Sequence, residues 1–373
     1  MFKVGASSES VAADRGGSRD HATPKEVYEQ AGLDAAGDDV LRIDVSARTL
    51  SAALIGADGV LAQREFANSA GGHKELLRWL VGPVAARVRV SLEASGVYSL
   101  DLALVLDAEP WIELAVLNPK LVNRFAETLR RSKTDAADAA VLAEYSRRMP
   151  FSRWQRPTAS HLELRTLSRY ISSLVVEQAV LKNRLRAAES TVTTPRTVLT
   201  DLRRALAAVK RRVERLRGEA LKRVEAQAQL RERYQLLVTV PGIGSVNALT
   251  ILSELMLLSP TMTVRQWVAS SGLDPAHRQS GTSLNKPSRI SRAGNRRLRA
   301  ALYMSALSAA RCDRHLGGFY RELRARHKTG LQALVAVARK LLHAIYGIFK
   351  SGRPYDGGLL FPGSALAIQS TAG

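Results

Sequence analysis

Four acidic residues carry the first chemical signal in this chain. Asp44 lies inside the apolar run Leu41-Arg42-Ile43-Asp44-Val45, which reads as a buried strand, and Glu93 closes a second strand, Val88 to Leu92. Asp135 and Asp138 stand three apart in Lys133-Thr134-Asp135-Ala136-Ala137-Asp138-Ala139. The alanine-rich context predicts a helix there, and i,i+3 spacing puts both carboxylates on one face. Acids converging from strand ends and one helix make a hard-oxygen cage for Mg2+, or Mn2+ in its place. Two such ions activate an attacking oxygen and stabilise a leaving one in phosphodiester chemistry. Taken singly, each acid has a plainer reading as a helix cap or a surface charge.

Two further constellations lie in the second half. In Val240-Pro241-Gly242-Ile243-Gly244-Ser245-Val246-Asn247-Ala248, Gly242 and Gly244 sit between apolar helical stretches. That is the pattern of a helix-hairpin-helix element, in which glycines let backbone N–H groups approach a phosphate. A tight helix–helix turn has the same appearance. Ser280-Gly281 falls in the segment Ala276 to Ala300, which holds Arg278, Lys286, Arg289, Arg292, Arg296, Arg297 and Arg299 and no acid. A serine among arginines can attack phosphorus, because cations stabilise both its alkoxide and the pentavalent phosphorus. Ser-Gly is also a common turn, and a basic loop can serve only as a phosphate-binding surface.

The elements that position these residues follow from the hydrophobic pattern. Leu50 to Ile55 and Val60 to Phe66 read as strands joined by an Ala57-Asp58-Gly59 turn. Gly72 to Leu80 and Val97 to Leu106 read as helices, Trp111 to Val116 as a strand, and Asn118-Pro119 as the start of more helix. Hairpin strands followed by alternating helix and strand predict a mixed α/β sheet with helices on its faces. From His161 to Gln235 the spacing becomes heptad-like: Leu164, Leu167, Ile171, Leu174, Gln178, Leu181, Leu185 and Ala188, then Leu199 to Ala220 after a break at Thr191 to Pro195. Two such helices predict a helical hairpin or coiled coil. Its Arg-rich flanks (Arg203, Arg204, Lys210, Arg211, Arg212, Arg215, Arg217) are either a solvated face or part of a dimerisation arm that touches phosphates. A compact helical region runs from Tyr234 to about Lys350.

Composition narrows the partner. The 373 residues carry 55 Lys+Arg against 34 Asp+Glu, a net charge of +21, and this makes nucleic acid the default partner. A single cysteine, Cys312, excludes an internal disulfide framework and a Cys-based zinc site, and suits a reducing, cytoplasmic setting. No apolar run reads as a membrane span; Ala248 to Leu258 comes closest and Glu254 interrupts it. Residues 1–38 read as a disordered leader and residues 353–373 as a flexible tail.

The motifs together resemble the DEDD transposases of the insertion-sequence-110 class, the bridge-RNA-guided recombinases. The matching stretches are Ile43-Asp44-Val45-Ser46, Leu92 to Tyr98, Leu117-Asn118-Pro119, Arg131 to Ala139, Val240 to Gly244, Ser271 to Pro275, Gln279-Ser280-Gly281, Ile290 to Arg299, Leu302-Tyr303-Met304 and Lys350-Ser351-Gly352. They occur in family order over about residues 40 to 355. The resemblance implies a RuvC-like (RNase H fold) DEDD domain over 39–150, with Asp44, Glu93, Asp135 and Asp138 binding Mg2+. It implies a coiled-coil dimerisation domain over 151–235. A mostly α-helical transposase domain over 236–352 would supply the catalytic Ser280. The implied reaction cuts and rejoins donor and target double-stranded DNA through a phosphoserine link, in an active site shared between subunits of a dimer or tetramer, guided by an element-encoded noncoding RNA. Lys133, Gly242, Gly244, Arg278, Lys286, Arg289, Arg292, Arg296 and Arg297 are the expected nucleic-acid contacts. The alternative is a RuvC-like, Mg-dependent DNA junction endonuclease in which the acids activate water and Ser280 is structural.

Overall fold

The computed structural model describes residues 40–56, 59–80, 88–94, 96, 98–117, 122, 151–280 and 284–361. Its contacts separate at Arg156/Pro157 into two units. In the first, strict alternation in β1 (Val40–Val45) buries Leu41, Ile43 and Val45 on one face. β2 (Thr49–Gly56) and β3 (Gly59–Ala67) extend the sheet antiparallel from β1, while β4 (Val88–Glu93) and β5 (Ile112–Leu117) extend it parallel on the other side. The strand order is β3-β2-β1-β4-β5. Helices α1 (Ala70–Leu80) and α2 (Leu100–Leu106) supply Leu76, Trp79, Leu80, Leu102 and Leu106 to the same core, with the Phe66 and Trp79 rings 5.6 Å apart. The mixed α/β sheet read from the sequence is therefore present. The second helix begins three residues later than expected, at Leu100 rather than Val97.

The second unit is largely helical. α3 (Ala159–Glu189) and α4 (Arg196–Glu225) form an antiparallel hairpin around the expected break, with Thr158 accepting from the His161 N–H as N-cap. α5 (Ala228–Val238), α6 (Ser245–Leu255), α7 (Val264–Ser271), α8 (Arg296–Cys312), α9 (Arg314–Ala325), α10 (Gly330–Ser351) and the short α11 (Gly357–Leu360) complete it. Capping boxes at Thr263/Gln266 and Thr329/Gln332 start α7 and α10, and left-handed Gly272 and Gly352 end them. Residues 248–255 of α6 are all buried. The inner heptad positions of the hairpin, Leu164, Ile171, Leu174, Val213 and Ala220, share one core with α6, α8 and α10. Each buried leucine or isoleucine there contributes about 1.5–3 kcal/mol. Further out, Leu181, Leu185, Leu199 and Leu202 are only half-buried.

Two expectations are corrected. The basic segment read as a loop contains a hairpin, β6 (Pro275–Ser280) and β7 (Leu284–Ile290), whose cross-strand bonds rather than local propensity form it. Among the described residues, the apolar stretch best suited by length and composition to cross a membrane is α10, not Ala248 to Leu258. Arg339, Lys340 and His343 interrupt its sequence, while Val337, Leu341, Leu342 and Ile345 are buried in the core. The expected leader, the Asn118-Pro119 helix start and the 57–58 turn lie outside the described residues, as does the tail beyond 361.

Candidate functional site

β1 and β4 run parallel and in register from Val40↔Arg89 to Ile43↔Leu92. Asp44 and Glu93 are the next residue on each strand. Neighbouring strands lie about 4.8 Å apart, so the backbone sets these acids side by side at the carboxyl ends of adjacent parallel strands. Ile43 and Leu92 are buried in the core between the sheet and its helices. Strand alternation turns Asp44 and Glu93 to the opposite face, where Asp44 is exposed and Glu93 half-buried. Lys133, Asp135 and Asp138 lie outside the described residues. Among the described residues no three of His, Cys, Asp and Glu gather to hold a metal. The adjacent pair nevertheless fits a divalent ion chemically, since both are hard oxygen donors on neighbouring, rigid strand ends.

A hydrogen-bond bracket stands beside this pair. The Asn68 side-chain amide donates to Ser46 O (2.8 Å) and to Tyr98 O (3.1 Å). Its Oδ1 lies 2.9 Å from His73 Nε2. Burial pushes the His73 imidazole below its ordinary value, with the Asp101 charge pulling partly back.

In the second unit, Ser280 ends β6 and pairs in register with Leu284, and Arg278 pairs with Lys286. The hairpin's base is clasped. Ser291 Oγ donates to Asp274 Oδ1 (2.5 Å), Arg292 N–H donates to Gly272 O (3.2 Å), and Asn295 N–H donates to Ser270 O (2.7 Å). Arg289, Arg292, Arg296 and Arg297 are exposed, and among the described residues none has a carboxylate partner. Arg292 sits at φ 56°. Arg299 donates to Ser271 O (2.8 Å); burial and then the charges of Arg292 and Arg296 lower its pKa. Cations that disfavour one another without an acid between them form a ready site for a polyanion.

The two glycines differ in their surroundings. Gly242 has φ 85°, and a Cβ there would meet Ala309 N and Ser305 O of α8 at 2.5 Å each. Its lack of a side chain is what lets the turn lie against α8. Gly244 precedes α6 with open space around the position of a Cβ. Of these two glycines, Gly244 is the one whose missing side chain leaves open space.

Sequence reasoning missed what anchors this region. Glu254, buried in α6, receives bonds from Arg169 Nε (2.7 Å) and Nη2 (2.9 Å) and from Asn295 Nδ2 (2.7 Å). Asn295 in turn caps α8 by accepting from the Arg297 and Leu298 N–H groups. Burial alone would raise the Glu254 pKa, but the Arg169 bonds and charge, with Asn295 and Arg165, hold it below the usual carboxylate value. The signal was present: a lone acid inside an apolar helix must be paired.

A mixed sheet carrying acids at its parallel strand ends, with a separate helical unit bearing a basic hairpin, defines a protein built to handle nucleic-acid phosphates. Residues 42–190 match the family model of the IS110-type DEDD transposases, described as Transposase, and residues 234–321 match that of the Transposase IS116/IS110/IS902 family. The chain belongs to the IS110 family of transposases. It is similar to a pilin gene-inverting protein of Moraxella bovis, 26% identical over 319 residues, covering 84% of this chain and 96% of that one. A pilin gene-inverting protein of Moraxella lacunata matches to the same extent. An IS110 insertion-element protein of Streptomyces coelicolor is 30% identical over 121 residues, 32% of this chain and 30% of its own. The protein is a DNA recombinase, its substrate is DNA, and its family points to use of a divalent metal.

Proposed function

We propose that this transposase cuts and rejoins donor and target DNA through a phosphoserine intermediate, in a composite active site where the acids of one subunit's RuvC-like domain meet Ser280 of another subunit. The observation that carries the acid half is the β1–β4 register, which sets Asp44 beside Glu93. The strand order β3-β2-β1-β4-β5, three strands antiparallel and two more parallel, supports the RNase H-type reading. Asp135 and Asp138 complete the acid set in this proposal. A bound Mg2+, or Mn2+, would offset charge on the scissile phosphate and favour the alkoxide of the attacking serine.

Ser280 Oγ attacks phosphorus and forms the Oγ–P bond, losing its proton to solvent. The bond from phosphorus to one deoxyribose oxygen breaks, and that oxygen leaves as a hydroxyl after taking up a proton. Rejoining reverses the exchange: a hydroxyl of the recombining strand attacks the phosphoserine and frees Ser280. Arg278, Lys286, Arg289, Arg292, Arg296 and Arg297 hold the strand backbone around the hairpin, Lys133 joins them from the acid-bearing half, and Gly244 and the Gly242 turn offer backbone N–H groups to phosphate.

An element-encoded guide RNA would assign the sites. A net charge of +21 suits a protein that holds polyanion backbones while base pairing reads sequence. Inversion, which the names of the Moraxella relatives record, requires strands to be rejoined and not merely cut. The half-buried leucines and exposed Val175, Val176 and Val180 of α3 support assembly of two chains through the α3–α4 hairpin.

The test is Ser280→Ala on a suicide DNA substrate. Loss of both the covalent protein–DNA adduct and recombination is the expected result. Persistent nicking without adduct would install the junction-endonuclease reading. Sequencing RNA that copurifies when the gene is expressed with its flanking DNA tests the guide: one discrete flank-derived RNA is expected, and only bulk cellular RNA would remove it.

A further inference from the structure

The β1–β4 ladder ends at Ile43↔Leu92, one residue short of the two acids. Past the acids the two segments lead to different elements. β1 turns back towards β2, with Ser46 N–H bonded to Thr49 O (2.9 Å), and the chain after β4 runs on to α2. The β1–β4 ladder does not reach Ser46 or Tyr98. The Asn68 side chain does. It leaves the end of β3, and its one amide nitrogen bonds Ser46 O, two residues past Asp44, and Tyr98 O, five residues past Glu93. Its backbone N–H bonds Arg48 O (2.8 Å) in the same turn.

Both carbonyls can only accept, so the amide orientation follows from its partners: nitrogen towards the carbonyls, Oδ1 towards His73. Oδ1 then needs a donor, and buried His73 must present Nε2–H to it. His73 is set one turn into α1, whose core face packs Leu76 and Trp79 against the sheet. A rigid helix thus fixes a histidine, the histidine fixes an amide, and the amide fixes the spacing of the two segments that carry the acids.

We propose that Asn68 is a positioning residue for the Asp44–Glu93 pair, and that His73 holds Asn68 in the orientation this requires. The proposal rests on the reading of those acids as metal ligands. It places both residues in a supporting role, touching neither substrate nor metal. Outer-shell partners of metal ligands typically alter metal affinity by about 10–100-fold when removed.

The experiment is Mn2+ binding by the full chain, read as the loss of free-ion paramagnetic resonance signal, for wild type, Asp44→Asn, Asn68→Ala, His73→Gln and His73→Met. Asp44→Asn should abolish or sharply weaken binding. Unchanged binding there would sink the metal-ligand reading itself, whatever the other variants do. Given that loss, Asn68→Ala should weaken Mn2+ by about tenfold or more; an affinity within twofold of wild type overturns the proposal. The His73 pair separates a hydrogen-bonded role from plain packing. Glutamine can offer an N–H at the position of Nε2 and should keep near-wild-type affinity, while methionine fills the space without a donor and should weaken Mn2+ as Asn68→Ala does. Equal affinities in the two His73 variants overturn the histidine's part, and because neither changes Asn68 they stay informative if Asn68→Ala fails to fold.

Discussion

Replacing Gly242 with alanine sets two explanations of one glycine against each other. If the residue serves to admit phosphate, alanine should weaken DNA binding and leave the fold alone. The structure says the fold suffers first. A Cβ at 242 would stand 2.5 Å from Ala309 N, 2.5 Å from Ser305 O and 3.0 Å from Ala309 Cα, all backbone atoms of one long helix. None can swing away as a side-chain end could, so the turn and α8 must separate. The left-handed backbone costs an L-residue about 1–2 kcal/mol. Overpacking against a rigid neighbour adds about 1–3 kcal/mol. The sum, roughly 2–5 kcal/mol, corresponds to a fall of roughly 4–20 °C in melting midpoint for a unit of this size. Circular dichroism melts and urea titrations of the full chain measure it. Gly244→Ala is the control, since open space surrounds its Cβ position; it should melt within about 0.5 kcal/mol of wild type, as surface changes usually do. A Gly242→Ala protein as stable as Gly244→Ala would refute the packing argument.

Other outcomes follow from the anchoring and charge of the same unit. Glu254→Gln should destabilise by about 3 kcal/mol in urea at neutral pH, because it leaves the Arg169 guanidinium without its carboxylate. Since the folded Glu254 pKa is depressed, the stabilisation is present above the ordinary carboxylate range and lost as pH falls through the folded value; the gap between the two proteins should therefore close in acid, and a constant gap would refute the ionic account. Arg292→Ala and Arg296→Ala should each flatten the dependence of log K for DNA on log salt by about one phosphate contact. An unchanged slope would remove them from the interface. Val176→Glu with Val180→Glu, at the exposed flank of α3, should shift the sedimenting species towards monomer without moving the melt, and an unaltered oligomer would take the α3 flank out of the assembly surface.

The strands of the first unit were legible because alternation in Leu41, Ile43 and Val45 is a local pattern with a single physical cause, a sheet buried on one face. The α3–α4 hairpin was legible for the same reason at helical period. The β6–β7 hairpin was not, because Lys286, Pro287, Ser288 and Arg289 carry no strand signal by themselves and only their pairing across the turn defines them. Asp44 and Glu93 could be named as acids in strands, but their adjacency depends on a parallel pairing between segments with α1 between them. Asn68 was invisible for a sharper version of that reason: its partners are 22 and 30 residues away, and no residue type marks a bracket. In sequence Glu254 merely interrupts an apolar run; in the fold it is the buried tie between α3, α6 and the start of α8.

The acid-free arginines around α8 give salt two opposite effects on one molecule. With DNA absent, Arg292, Arg296 and Arg299 repel one another, so the empty surface is a load on its own scaffold. Raising ionic strength from 0.1 to 1 M shortens the screening length from about 10 to about 3 Å. The same change that strips nucleic acid from the surface should therefore raise the melting midpoint of the bare protein. Polyanion and simple electrolyte are then interchangeable supports for the fold, though only the polyanion can also be a substrate. A preparation washed free of nucleic acid and moved at once to low salt meets the surface with neither, and that is the condition in which the chain should be least stable.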